Sequence, residues 1–247
     1  MTMLGAVYSV DRHVRTPTEV LAALFQDGAP HPAPAPQRPV PQHKRMRALL
    51  VRDDAGTTAP QTTALFQWLA EEYRQRNPAE ARPGVLLMDG QENLWYAGAT
   101  LLPSENITEF IDILHVSEYV WAAAALFETP GSAAATTWAK TYLGRLLHGE
   151  VNTVIQDLQR LGEARLRRRP ARDALARILG YFANNRHRMA YDLYLAEGLP
   201  IASGVIEGAC RWVVKDRMER SGMRWVMAGA QLSPGLRAPA TVWRASG

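Results

Sequence analysis

Cysteine is nearly absent: Cys210 is the one thiol in 247 residues. That excludes an intrachain disulfide framework and a cysteine-rich zinc site. A reducing cytosol is therefore the expected compartment. No apolar run approaches the roughly 20 residues that a membrane helix needs. The longest, at 116–127, is interrupted by Glu118. The first ten residues hold no basic leader and no small-residue cleavage site, so no signal peptide is expected. Neither sign of charge dominates, with 28 Lys and Arg against 24 Asp and Glu and a net charge of +4. At 47% apolar and 21% charged, the composition is that of a globular chain and not of a disordered one. The length suits one large domain or two small ones.

What charge there is lies unevenly. Between Arg160 and Arg224, fourteen Lys and Arg stand against seven Asp and Glu. A basic C-terminal half suggests a polyanion partner, most simply nucleic acid. Solvated helix faces account for the same charge equally well.

Apart from a short helix near the start, periodicity orders the chain as strand, strand, helix, strand, helix, strand, helix, a helical block, then a helix. Residues 4–10 read as a strand. Thr16-Pro17-Thr18-Glu19 opens a short helix to Phe25, with a capping box between Thr16 and Glu19. Residues 28–41 are rich in proline and read as a linker or surface loop. Residues 46–51 predict a strand and 57–76 a helix. Val85-Leu86-Leu87-Met88 is a continuous apolar run, as a strand buried on both faces would be, and it stops at Asp89-Gly90. A helix is expected over 92–102, a strand over 107–114 and a helix over 117–127. Helical spacing continues from 132 to 197. A last helix starts at Ser203-Gly204, and 232–247 reads as a disordered tail.

Three places could carry chemistry. Asp89 sits where a buried strand meets a turn, and strand ends of α/β sheets gather ligand groups. A carboxylate there suits a hard cation, although an Asp-Gly turn needs no function. Asp112 and His115 lie three apart at a strand-to-helix junction. A helix-capping Asp and a hydrogen-bonded His explain them better than a metal pair does. Glu207 falls in the first turns of the last helix, with Arg211 and Lys215 at i,i+4 spacing behind it. An ordinary salt bridge at a helix start is one reading. The other is a metal carboxylate flanked by phosphate-binding cations. Asp89 and Glu207 together would then suit two-metal phosphoryl transfer.

Four segments carry a resemblance. They are Val85-Leu-Leu-Met-Asp89-Gly, Asp112-Ile-Leu-His115-Val-Ser-Glu-Tyr-Val-Trp121, Tyr181-Phe-Ala-Asn-Asn-Arg-His-Arg-Met-Ala-Tyr191, and the long run from Ile201 to Trp225. Together they resemble the DDE transposases of bacterial insertion sequences, in the Kra-type group of the Mutator-like superfamily. The resemblance spans about residues 4–231.

It implies an α/β, RNase H-like catalytic fold interrupted by an all-helical insertion. The core's N-terminal part would be 1–128, the insertion 129–200, and the helix bearing the catalytic Glu 201–231. Asp89 and Glu207 match the second Asp and the Glu, which hold Mg²⁺, with Mn²⁺ as a substitute. Asp112 and His115 match a supporting Asp-x-x-His element. Arg211, Lys215, Arg217 and Arg224 are candidate DNA contacts. DNA is the implied partner, as insertion-sequence ends and target. A homo-oligomer or an intact transposase is a further one, and no membrane is involved.

The first catalytic Asp, expected on the first strand before Gly and Thr, has no match. The chain therefore reads as a truncated copy whose first strand is missing, and Asp11 is the one nearby acid. After Gln231 the family's helix gives way to helix breakers, as a shifted reading frame would produce. The parent activity is DNA strand cleavage and strand transfer, and this chain alone is expected to be inactive. The alternative is a DNA-binding or transposase-pairing remnant that inhibits transposition without catalysis.

Overall fold

The computed structural model describes residues 2–25, 39–50, 60–102 and 105–203. Within them the fold is mixed α/β. The strands are β1 (Thr2–Ser9), β2 (Gln42–Leu50), β3 (Gly84–Met88) and β4 (Ile107–Ile111). The helices are α1 (Pro17–Phe25), α2 (Pro60–Arg76), α3 (Glu92–Leu101), α4 (Ile113–Phe127), α5 (Ala133–Leu147), α6 (Val151–Arg165), α7 (Arg169–Asn185) and α8 (Tyr191–Ala196). A 3-10 turn, Arg186–Arg188, joins α7 to α8. Most of the proline-rich stretch, the segment from 204 onward and the tail at 232–247 lie outside the described residues.

The strands form two pairs. β1 and β2 run antiparallel, with Met3 opposite Leu49 and Val7 opposite Arg45. β3 and β4 run parallel, from Gly84 opposite Ile107 to Met88 opposite Ile111. Among the described residues, each pair has no further strand on its outer edges. This corrects one expectation. β3 is half-buried along its whole length: Val85 to Met88 pack on the larger cluster from both faces, while one edge has no strand neighbour among the described residues.

A second correction concerns α4. It begins at Ile113, four residues ahead of the expected start, because Asp112 caps it. The apolar run through Leu114 thus splits into a strand and a helix turn. The expected capping box holds: Thr16 N–H donates to Glu19 at 2.7 Å and Glu19 N–H donates to Thr16 Oγ1 at 3.2 Å. Hydrogen bonding to Thr16 accordingly lowers the Glu19 carboxyl below its ordinary range.

Two apolar clusters hold the chain. The larger runs from Trp95 through Phe110, Ile111 and the inner faces of α4–α8 to Ile201. The smaller, of Met3, Leu65, Phe66 and Ala97, fixes β1 onto α2 and α3. The C-terminal end of β4 is anchored from α8. Tyr191 is fully buried and its hydroxyl donates to the Ile111 carbonyl at 2.9 Å. Burial lifts that phenol well above its ordinary pKa, so it stays a neutral donor. Replacing Tyr191 with Phe strands a buried carbonyl, so stability is expected to fall by about 1–3 kcal/mol. Urea unfolding should show the lower midpoint with an unchanged slope.

Candidate functional site at the strand ends

The parallel register of β3 and β4 determines what meets at their ends. Met88 pairs with Ile111, so the next residues, Asp89 and Asp112, leave adjacent strands side by side. Parallel neighbours stand about 4.8 Å apart. The Asp112 N–H extends the ladder by donating to the Met88 carbonyl at 3.0 Å. Two carboxylates thus sit at the carboxyl ends of parallel strands, where α/β sheets gather ligand groups.

Asp112 is 6% exposed, and both its oxygens are engaged. Oδ1 accepts from the Leu114 N–H at 2.9 Å and caps α4. Oδ2 accepts from the Ser203 N–H at 3.2 Å and from the Ser203 hydroxyl. One residue on, the Ile113 N–H donates to the Ile201 carbonyl at 3.0 Å. The segment 201–203 is therefore tied to the start of α4. A buried carboxylate requires this many donors, because it has no water to solvate it.

Asp89 is more open. Its Oδ1 accepts from the Gln91 N–H at 3.1 Å, while Oδ2 takes no hydrogen bond among the described residues. Gly90 follows with a φ of +97°, a conformation that side-chain-bearing residues rarely adopt. A Cβ there would stand 2.8 Å from the Tyr181 ring. The Tyr181 hydroxyl donates to the Asp89 carbonyl at 3.3 Å, so α7 reaches across to support the turn.

Around the acids lies an aromatic wall. Tyr181 stacks on Tyr119 with centroids 3.7 Å apart and planes 6° from parallel. His115 meets both rings edge-on, at 5.6 and 6.0 Å. Burial first, then Tyr119, Asp89 and Asp112, push the Tyr181 hydroxyl far above its ordinary pKa. Tyr8 on β1 is raised as well, by burial and then by the charge of Asp112. Both phenols are thereby held in the neutral form, as hydrogen-bond donors or acceptors, at neutral pH.

Asp89 and Asp112 are brought together as adjacent strand-end residues. His115 does not join them through a hydrogen bond among the described residues. Its Nδ1 lies 3.3 Å from Glu118, on its own helix. Glu207, Arg211, Lys215, Arg217 and Arg224 lie outside the described residues. Among the described residues no three His, Cys, Asp or Glu side chains are grouped to hold a metal ion. Asp89, with a free oxygen, fits the part of a cation ligand. Asp112, with both oxygens occupied, fits that of an anchor. Sequence reasoning assigned no role to Ser203, Tyr119 or Tyr181. Tyr181 stands 92 residues from Asp89, and nothing local links the two.

No protein-family model, curated protein or solved structure matches this chain. The site is therefore read from its own chemistry.

Two substitutions test the arrangement. Asp112→Ala removes a helix cap and the acceptor for Ser203 together, and should cost about 2–4 kcal/mol in denaturant unfolding. Asp112→Asn, which keeps one acceptor, should cost less. Gly90→Ala forces a Cβ against Tyr181 at a positive φ and should cost about 1–3 kcal/mol, read by the same titration.

Proposed function

We propose that the chain is the catalytic portion of an insertion-sequence DDE transposase of RNase H-like fold, short of one catalytic carboxylate. The observation that carries this reading is the pairing of Asp89 and Asp112 on parallel strand ends. Asp112 holds Ser203, which precedes Glu207 by four residues in the sequence. Asp89 is the cation ligand in this proposal, with Glu207 as the second. Asp112 positions the segment that leads to Glu207, and His115 stands beside the aromatic wall. The two separate strand pairs support a sheet that lacks a central strand among the described residues.

Mg²⁺, held by Asp89 and Glu207 and replaceable by Mn²⁺, would supply activation of an attacking hydroxyl and stabilisation of a leaving oxygen. The residues of this chain would place the DNA backbone against that pair and exclude water behind Tyr119 and Tyr181. DNA is the partner, and a second copy or an intact transposase is a further one. No helix among the described residues is long and apolar enough to cross a membrane. A cytoplasmic site of action follows from the DNA reading.

The second reading, a DNA-binding or transposase-pairing remnant without catalysis, is favoured by the exposed arginines of α7. Both readings predict that purified chain binds duplex DNA and that affinity falls as salt rises, because phosphate contacts release counterions. With one carboxylate missing, Mg²⁺ or Mn²⁺ should produce no more nicking of supercoiled plasmid than Asp89→Ala does. Nicking that is lost in Asp89→Ala would show a complete active site. Salt-independent DNA affinity would sink both readings.

A further inference from the structure

We infer that the corner between α6 and α7 is a docking surface for the phosphate backbone of duplex DNA. The inference rests on DNA being the partner, and its residues are other than Arg211, Lys215, Arg217 and Arg224.

Residues 160–177 hold seven arginines and two acids. Three of the arginines have acidic neighbours. Arg160 pairs with Asp157. Arg165 lies 3.4 Å from Glu128 and also donates to the Phe127 carbonyl. Arg169 approaches Asp173 at 3.8 Å while its side chain is 90% exposed. The other four, Arg167, Arg168, Arg172 and Arg177, are exposed and have no acidic partner among the described residues. Like charges crowded in this way repel one another, and a polyanion relieves that repulsion. A guanidinium fork also matches a phosphate with two parallel hydrogen bonds.

The platform beneath them is firm. Leu175, Ile178 and Phe182 bury the inner face of α7 in the larger cluster. Gly162 lets α6 come so close that a Cβ there would stand 2.3 Å from Leu175. Arg168 and Arg172 stand one turn apart, about 6 Å along the helix at 1.5 Å per residue. That distance covers roughly two phosphates of one strand.

One feature favours a nucleic acid over a protein. Protein interfaces centre on buried aromatic or aliphatic anchors. The large exposed apolar side chains among the described residues are Val14, Val40, Tyr96, Trp121 and Leu193, and none is in this corner. Arg177 lies about 140° around α7 from Arg172, so it belongs to the side of the helix that carries Tyr181 and not to the corner.

The test uses the full chain and a fluorescein-labelled duplex of mixed sequence, read by fluorescence anisotropy across a salt series. The triple variant Arg167→Ala/Arg168→Ala/Arg172→Ala should bind about 10-fold or more weakly. Its plot of log affinity against log salt should be shallower by about 2–3. Arg168→Ala alone should flatten the slope by about 1. Arg160→Ala, which removes a paired arginine, should change little. Circular dichroism should show wild-type helicity in each, since all these side chains are exposed. Wild-type affinity and slope in the triple variant would overturn the corner and leave DNA binding elsewhere on the chain. No binding by the wild-type chain would overturn the DNA reading itself. Competition by polyglutamate as effective, charge for charge, as unlabelled duplex would overturn the assignment to nucleic acid.

Discussion

One buried carboxylate organises this molecule. Asp112 sits where β4 ends and α4 begins, with both oxygens saturated by backbone and hydroxyl donors. Its own N–H holds the end of β3 through the Met88 carbonyl. Four pieces of chain therefore meet at one residue: two strands, a helix start and the segment 201–203. An ionised group survives such burial only when its donors are preorganised. The contacts around it are correspondingly fixed: Ile113 to Ile201, Tyr191 to Ile111, and Tyr181 to Asp89. Asp89 inherits its position from this arrangement, because it is one residue beyond the strand that Asp112 holds.

Local features were legible in the sequence because both partners lay within a few residues. The capping box of Thr16 and Glu19 is one case. The apolar run ending at Asp89-Gly90 is another, and it correctly marks a strand end. The start of α4 was hidden because Ile111, Ile113, Leu114 and Val116 satisfy a strand pattern and a helix pattern alike. The buried-strand signal of Val85 to Met88 matches side chains that pack on the larger cluster from both faces, and the open edge of β3 leaves each of them half-buried instead of buried. The bond between Asp112 and Ser203 spans 91 residues, and no local spacing encodes it.

Arginine shows the same limit in another form. Arg188 and Arg168 look alike in a composition count. Arg188 lies 2.6 Å from Glu109 and 3.9 Å over the Trp95 ring, and so ties the end of α7 to β4 and α3. That guanidinium is spent on the fold. Arg168 extends into solvent with no acid beside it. Among the described residues, the basic residues of the second half are therefore two populations, one paired with acids and one without an acidic partner. Only tertiary contacts separate them, which explains why charge alone left nucleic-acid binding and solvated helix faces equally open.

The division of the core into two clusters has a consequence for how the molecule breathes. Free energies of local opening follow the apolar contact each unit holds. The cluster of Met3, Leu65, Phe66 and Ala97 is the smaller, so β1 and β2 belong to the unit that opens first and exchanges its amides soonest. Ile111, Ile113 and Ile201 belong to the larger cluster, which keeps Asp112 closed through such excursions. Met88 packs against both clusters. Asp89, the next residue, therefore stands on the seam between a slow unit and a fast one. The two neighbouring acids consequently differ in footing: Asp112 rests on the larger cluster, while Asp89 follows a residue that both clusters share.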